Sequence, residues 1–208
     1  GDGPGGDAAG DDAAGDDGDL LATLERLAEQ SLVRIGEDAR GEPRFTMLET
    51  IREFAAERLD AAGETRRLRD RHADAVLGLI DAGSSPDGDR GAWLDRLDGD
   101  HDNLRAALDH AVGAGDTVRA AALAFGAWRF WHMRGHVVEG RRRVDRVLAM
   151  PAWTREPSRD RLRALEAAGG LAYWAGDMVA AGRHYGAAVE EARRLADDAE
   201  IANALYNH

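Results

Sequence analysis

"RFTMLETIREFAAERL", residues 44–59, contains the change of period on which the fold turns. An extended run stops at Thr46, and from Leu48 the apolar residues Leu48, Ile51, Phe54, Ala55 and Leu59 recur at the spacing of one helix face. Thr46-x-x-Glu49 predicts a capping box: the Thr46 hydroxyl accepts from the amide three residues on, and the Glu49 carboxylate reaches back to the Thr46 amide. Gly63 is the predicted stop. Upstream, "SLVRI" (31–35) and "PRFTM" (43–47) predict two short strands joined through the polar "GEDARGE", hence a β-hairpin. Before them, Asp19 can cap a helix that puts Leu20, Leu24, Leu27 and Ala28 on one side. Helix, hairpin and helix in this order match the second half of a winged helix.

The bulk numbers exclude several classes. The chain has 208 residues, 44% of them hydrophobic, and no apolar run approaches the ~20 residues of a membrane span. With no cysteine there is neither a disulfide framework nor a thiolate metal site. The net charge of −12 is concentrated: seven acids and no bases fall in the first nineteen residues, leaving −5 for the rest. All 27 basic residues are arginine, so a phosphate-binding loop ending in Gly-Lys-Ser/Thr cannot be present. Residues 1–18, "GDGPGGDAAGDDAAGDDG", have nothing apolar to bury and are expected to be disordered; their G-x-G-x-x-G match lacks the strand and helix that would give it meaning. The chain starts without methionine and stops inside a helical pattern, so it is expected to be a fragment of something longer.

Downstream the pattern is helical: one helix over about 64–82, a loop at "SSPDG" (84–88), then "AWLDRL" and "DNLRAALDHAV" broken at Gly99. From Thr117 onward the helices are interrupted at Gly135, around Pro151–Pro157, and at Gly176. Laying Gly135 on Gly176 gives a period of 41 residues, the mark of stacked helix pairs. The second pair fits the tetratricopeptide pattern, with Gly169 at the small position, Gly176-Asp177 at the turn, and Ala181, Tyr185 and Ala188 in packing positions. The first is degenerate, with Trp128 at the small position and Gly140 replacing alanine. In such repeats the first helix of each pair lines a groove, which makes Phe125, Arg129, His132, Arg163, Glu166 and Tyr173 the candidate partner-binding residues.

Other constellations are weaker. Trp128 and Trp131 fall on one helix face and read as packing. His132 and His136 are four apart but lack a third ligand, and no metal is expected. Asp98, Asp100 and Asp102 alternate like a calcium loop, yet Asn103 and Asp109 stand where glycine and glutamate belong, so capping by Asp100 or Asp102 is the reading. The runs "RRLRDR" and "RRR" are interleaved with or followed by acids and read as solvated helix faces. The helix "LLATLERLAEQ" holds two Glu and one Arg, which argues against phosphate contact; no direct nucleic-acid binding by this segment is expected. No catalytic constellation is visible, and no enzyme activity is expected.

Three stretches, "LAEQSLV…PRFTMLETIREFAAERL", "WLDRLDGDHDNLRAALDHAV" and "WRFWHMRGHVVEGRRRVDRVL", together resemble the region after the ATPase core in large bacterial STAND-type regulators, many of them LuxR-like. The resemblance covers about residues 19–208. It implies a switch built from an NB-ARC nucleotide-binding module, a winged helix, a helical connector and a tetratricopeptide sensor. In related ATPases the strand-to-helix step carries Met-His-Asp, whose His contacts ADP; the matching residues here are Met47-Leu48-Glu49, and leucine cannot make that contact.

The expected architecture is therefore mainly α: an acidic segment (1–18), a partial winged helix with one hairpin (19–63), a helical connector (64–115), and a tetratricopeptide-like α-solenoid (116–208). The expected function is a non-catalytic regulatory and sensor segment of a STAND-type ATPase or transcriptional regulator, cytoplasmic and without a membrane partner. It would bind a protein, peptide or small effector on the repeats and couple it to an intramolecular nucleotide-binding domain. No cofactor is expected in this segment, with ATP or ADP belonging to the parent protein. The alternative is a stand-alone tetratricopeptide interaction scaffold.

Overall fold

The computed structural model describes residues 12–37, 41, 43–83 and 89–208, and the chain divides into two compact units, Gly1–Thr65 and Arg66–His208. The protein is mainly helical with one small antiparallel hairpin. Among the described residues, no helix is long and apolar enough to cross a membrane.

The first unit contains α1 (Asp12–Glu29), β1 (Val33–Glu37), β2 (Pro43–Met47) and α2 (Glu49–Ala62). Helix α1 begins seven residues before the predicted cap at Asp19. Ala13 and Ala14 are the strongest helix formers. Of the stretch expected to be disordered, residues 12–18 are thus helical, and residues 1–11 lie outside the described residues. Ser31, at φ 58°, closes α1 with its N–H on the Ala28 carbonyl, while the Leu32 N–H reaches Leu27. That turn delays the first strand to Val33, two residues later than predicted.

In the hairpin Val33 faces Met47, Arg34 faces Thr46, Ile35 faces Phe45, Gly36 faces Arg44 and Glu37 faces Pro43. Thr46 is thereby held in the ladder, and the predicted capping box does not form. The N-cap of α2 is Leu48, extended at φ −61° and ψ 144° with no side-chain cap, and Glu49 instead accepts from Arg52 Nη2 at 2.6 Å. The predicted stop is present: Gly63 is left-handed at φ 70°, and the Glu64 N–H closes on the Leu59 carbonyl at 3.0 Å. The apolar face of α2 behaves differently from its pattern. No α2 residue is buried; Leu48 is 45% exposed and Phe54 55%.

The second unit is built from α3 (Thr65–Ala82), α4 (Arg90–Gly99), α5 (His101–Gly113), α6 (Thr117–Met133), α7 (Val137–Leu148), α8 (Arg159–Trp174), α9 (Met178–Leu195) and α10 (Asp198–Asn207). Its main core runs through Ile80, Leu97, Leu104, Leu108, Leu123, Phe130, Trp131, Val144 and Leu171. The predicted loop at 84–88 lies outside the described residues. Three turns are built alike. Gly115, Gly135 and Gly176 are left-handed at φ 71°, 80° and 77°. The residue after each closes the preceding helix: Asp116 onto Ala111, His136 onto Trp131, Asp177 onto Ala172. Asp116 and Asp177 then cap the next helix through the amides of Arg119 and Ala180, whereas His136 makes no side-chain cap on α7.

The pairs α6–α7 and α8–α9 pack through glycines. A Cβ on Gly140 would lie 2.9 Å from the Trp131 ring, and one on Gly169 would lie 2.6 Å from the Tyr185 ring. Each glycine admits an aromatic ring from the paired helix, so two helix axes approach where a side chain would hold them apart.

Candidate functional site

Strand alternation sorts the hairpin into two faces. Val33, Ile35, Phe45 and Met47 project on one; Arg34, Arg44 and Thr46 project on the other, because Arg34 pairs with Thr46 and Gly36 with Arg44. That second face therefore carries Arg34 and Arg44 at diagonal positions of the ladder. On α1, Arg26 Nη2 donates to Thr23 Oγ1 at 3.2 Å, and Glu25 and Glu29 are exposed. On α2, Arg58 lies 4.9 Å over the Phe54 ring. The charge count of "LLATLERLAEQ" alone does not reach these two arginines. The alternation within "VRIGE" and "PRFTM" was the signal that could have found them.

The six predicted groove residues lie on α6 and α8. Arg129 rests 4.7 Å over the ring of Trp128, and His132 stacks on Trp174 at 4.1 Å with 20° between the planes. Tyr173 meets the edge of Trp174 at 5.5 Å. Glu166 accepts from Asn203 Nδ2 at 2.7 Å; burial pushes its carboxyl up, Glu200 adds to that, and Arg163 and Arg129 pull the other way. Arg163 also lies 3.8 Å from Asp160. The structure thus gathers His132 and Tyr173 around Trp174, and Arg129 and Arg163 around Glu166. Phe125 stands apart from both groups and packs against the main core. Trp174 and Asn203 belong to this surface although their sequence positions single out neither.

The remaining constellations resolve into packing and pairing. Trp131 is fully buried. Asp98 pairs with Arg134, Asp100 accepts from Asn103 Nδ2 at 2.8 Å, and Asp102 pairs with Arg105, so the three carboxylates share no common centre. Asp100 occupies the N-cap position of α5 without a side-chain cap bond. His136 joins residues other than His132. Its ring centroid is 4.4 Å from that of His101, and the ligating atoms of His101, His136 and Glu139 all lie within 4.8 Å of one another. Glu139, however, accepts from Arg105 Nε and Nη2 at 2.7 and 2.6 Å and from Arg143 Nε at 2.7 Å. Those guanidiniums hold its carboxyl down at about 2, with Arg105 the larger cause, and they oppose a cation at the same oxygens. Burial lowers the His101 pKa.

Comparison with known proteins adds to this geometry. A family model described as "Winged helix-turn-helix domain" matches residues 7–60. Over 196 residues the chain is 31% identical to proteins named as HTH-type transcriptional regulators in Mycobacterium bovis and in Mycobacterium tuberculosis strain H37Rv. The match covers 89% of this chain and 22% of each relative, so the chain spans about a fifth of their length. No solved structure matches it.

These findings overturn the expectation that this segment makes no direct nucleic-acid contact. A winged helix-turn-helix match together with relatives of regulator type points to DNA binding by this segment. The physical reason lies in where the charge sits. A single helix was weighed by its acids, while Arg34 and Arg44 project from the wing, an element that can reach the phosphate backbone irrespective of the helix's net charge.

Proposed function

We propose that this chain is the DNA-contacting and signal-receiving segment of a transcriptional regulator. The observation that carries the reading is the winged helix-turn-helix match over residues 7–60, on which Arg34 and Arg44 share one face of the wing. Guanidiniums there would contact phosphate and fix the module on the duplex, and α1 would approach base edges.

The second unit would receive the signal. Its helix pairs, read as tetratricopeptide-like, offer Arg129, His132, Arg163, Glu166 and Tyr173 to a protein, peptide or small effector. In the whole protein a STAND-type nucleotide-binding module holding ATP or ADP would be the intramolecular partner, and this segment would be its non-catalytic, cytoplasmic arm. What supports that finer reading is the sequence resemblance over residues 19–208. A complete coding sequence without a Gly-x-x-x-x-Gly-Lys-Ser/Thr motif would remove the nucleotide part of it.

The test of the DNA reading is fluorescence anisotropy on labelled duplex DNA across a salt series, comparing the chain with its Arg34→Gln/Arg44→Gln variant. Loss of two phosphate contacts predicts a slope of log K against log salt that is shallower by about 1.8, and weaker binding at low salt. Absence of any binding at low salt by the unmodified chain would defeat the reading.

A further inference from the structure

We propose that the cleft between α5 and α7 is a binding site for a small phosphate-bearing ligand, a function additional to DNA contact by the wing. A cavity of ≈ 650 Å³ opens there, lined by Arg105, Arg142, Arg143, Arg146, His136 and Glu139 together with Gly135 and Val138. Its volume suits a small organic phosphate. In a chain of net charge −12, four guanidiniums around one cavity invert the local sign.

The arginines are held in place without being satisfied. Glu139 fixes Arg105 and Arg143 by three charge-assisted bonds, and Asp109 accepts from Arg146 Nη1 at 2.6 Å and Arg143 Nη1 at 3.4 Å. Asp102 accepts from Arg105 Nη1 at 2.8 Å. Each guanidinium has five N–H donors, so these carboxylates orient the forks and leave donors over for a ligand. Set against Asp102, Asp109 and Glu139, the four arginines retain one unbalanced positive charge. Arg142 is exposed on the same side of α7 and pairs with none of these carboxylates.

Two further features point into the same cleft. Helix α7 starts at Val137 and lacks the side-chain cap that Asp116 and Asp177 supply at the equivalent turns, so the amides of its first turn remain available beside His136. Next to Glu139, which lines the cavity, His101 is buried with Nε2 making no hydrogen bond, 3.4 Å from Glu139 Oε2. Phosphate matches this set better than a carboxylate. Its tetrahedral oxygens can accept from guanidinium forks on one side and helix amides on another, and its double charge answers the surplus.

The experiment is calorimetric titration of the full chain with pyrophosphate and with ribose 5-phosphate at constant ionic strength, with succinate and a short duplex DNA as parallel probes. Arg142→Gln/Arg146→Gln removes two exposed guanidiniums. His136→Asp restores the acid of the sister turns, capping α7 while repelling an anion. Saturable binding of a phosphate probe, weakened at least ~10-fold in both variants with the melting temperature kept or raised, is the expected result. No saturable binding of either phosphate, equal binding of succinate, unchanged affinity in the variants, or binding of DNA alone that the variants weaken would each overturn the proposal. The wing variant Arg34→Gln/Arg44→Gln should leave phosphate binding unchanged, so failure of this site and failure of the DNA reading are separately visible.

Discussion

Helices α2 and α6 each carry apolar residues at helical spacing and meet different fates. Phe54 and Leu48 stand open on α2, which has no buried residue, while α6 buries Ala120, Ala121, Leu123, Ala124, Ala127, Phe130 and Trp131. The difference lies in composition, with six charged residues among the fourteen of α2 against two among the seventeen of α6, and in the number of neighbours. Helix α6 is packed on α5, α7 and α8 at once, and Gly126 lets Ile80 of α3 approach so closely that a Cβ there would fall 2.2 Å from it. An amphipathic stripe states that a face can be buried; the count of elements against it decides whether it is.

Paired aromatic truncations test that contrast most severely. Trp131→Ala should cost about 3–5 kcal/mol in the unfolding free energy of the second unit, because a fully buried ring leaves a cavity. Phe54→Ala should cost less than about 1 kcal/mol, since more than half of that residue already faces water. Urea denaturation followed by circular dichroism measures both, and equal costs would erase the distinction between the units.

Next in size is Glu139→Gln, which withdraws charge from Arg105 and Arg143 together and should destabilise by about 1–3 kcal/mol near neutral pH. The carboxyl moves from an ordinary value of 4.5 down to about 2 in the folded chain. A depressed carboxyl stabilises the fold above its unfolded value and loses that contribution as pH falls through the folded one. The stability gap between the parent chain and Glu139→Gln should therefore be full above about pH 5 and shrink on the way to pH 2. A gap constant across that range would mean the pairing does not titrate as a unit.

A small effect, of the order of that at Phe54, is expected of Leu48→Ala: about 0.5–1.5 kcal/mol instead of the loss a fully buried leucine would give. Its measure is the midpoint of the same denaturation curve. A loss above about 2 kcal/mol would show that the face of α2 is covered in solution.

Much of the architecture was legible before the structure. The hairpin, the helix after it, Gly63 as a stop, and the matched turns at Gly135 and Gly176 all follow from local period and from the left-handed backbone that glycine tolerates. The capping box at Thr46 was misread because the same letters serve a strand, and pairing with Arg34 held Thr46 in the ladder. Of the candidate surface, spacing can relate only side chains within one helix. Trp174 and Asn203 were missed, since what matters about them is the helix they face. The cleft of Arg105, Glu139 and Arg143 was illegible for the same reason: its parts are 34 residues apart and meet only because α5 packs beside α7.

By itself, then, the sequence determined most of the elements and their turns: where the period is two or three to four, and where a glycine at positive φ reverses the chain. These are interactions reaching no further than about five residues, and the letters contain them unless a remote partner competes for the same residue, as Arg34 does for Thr46. The tertiary structure alone decided which apolar faces leave water, that His136 sits by His101 instead of His132, and that four arginines surround one cavity. Burial and charge pairing depend on distances between segments remote in sequence, and those distances exist only once the helices have packed.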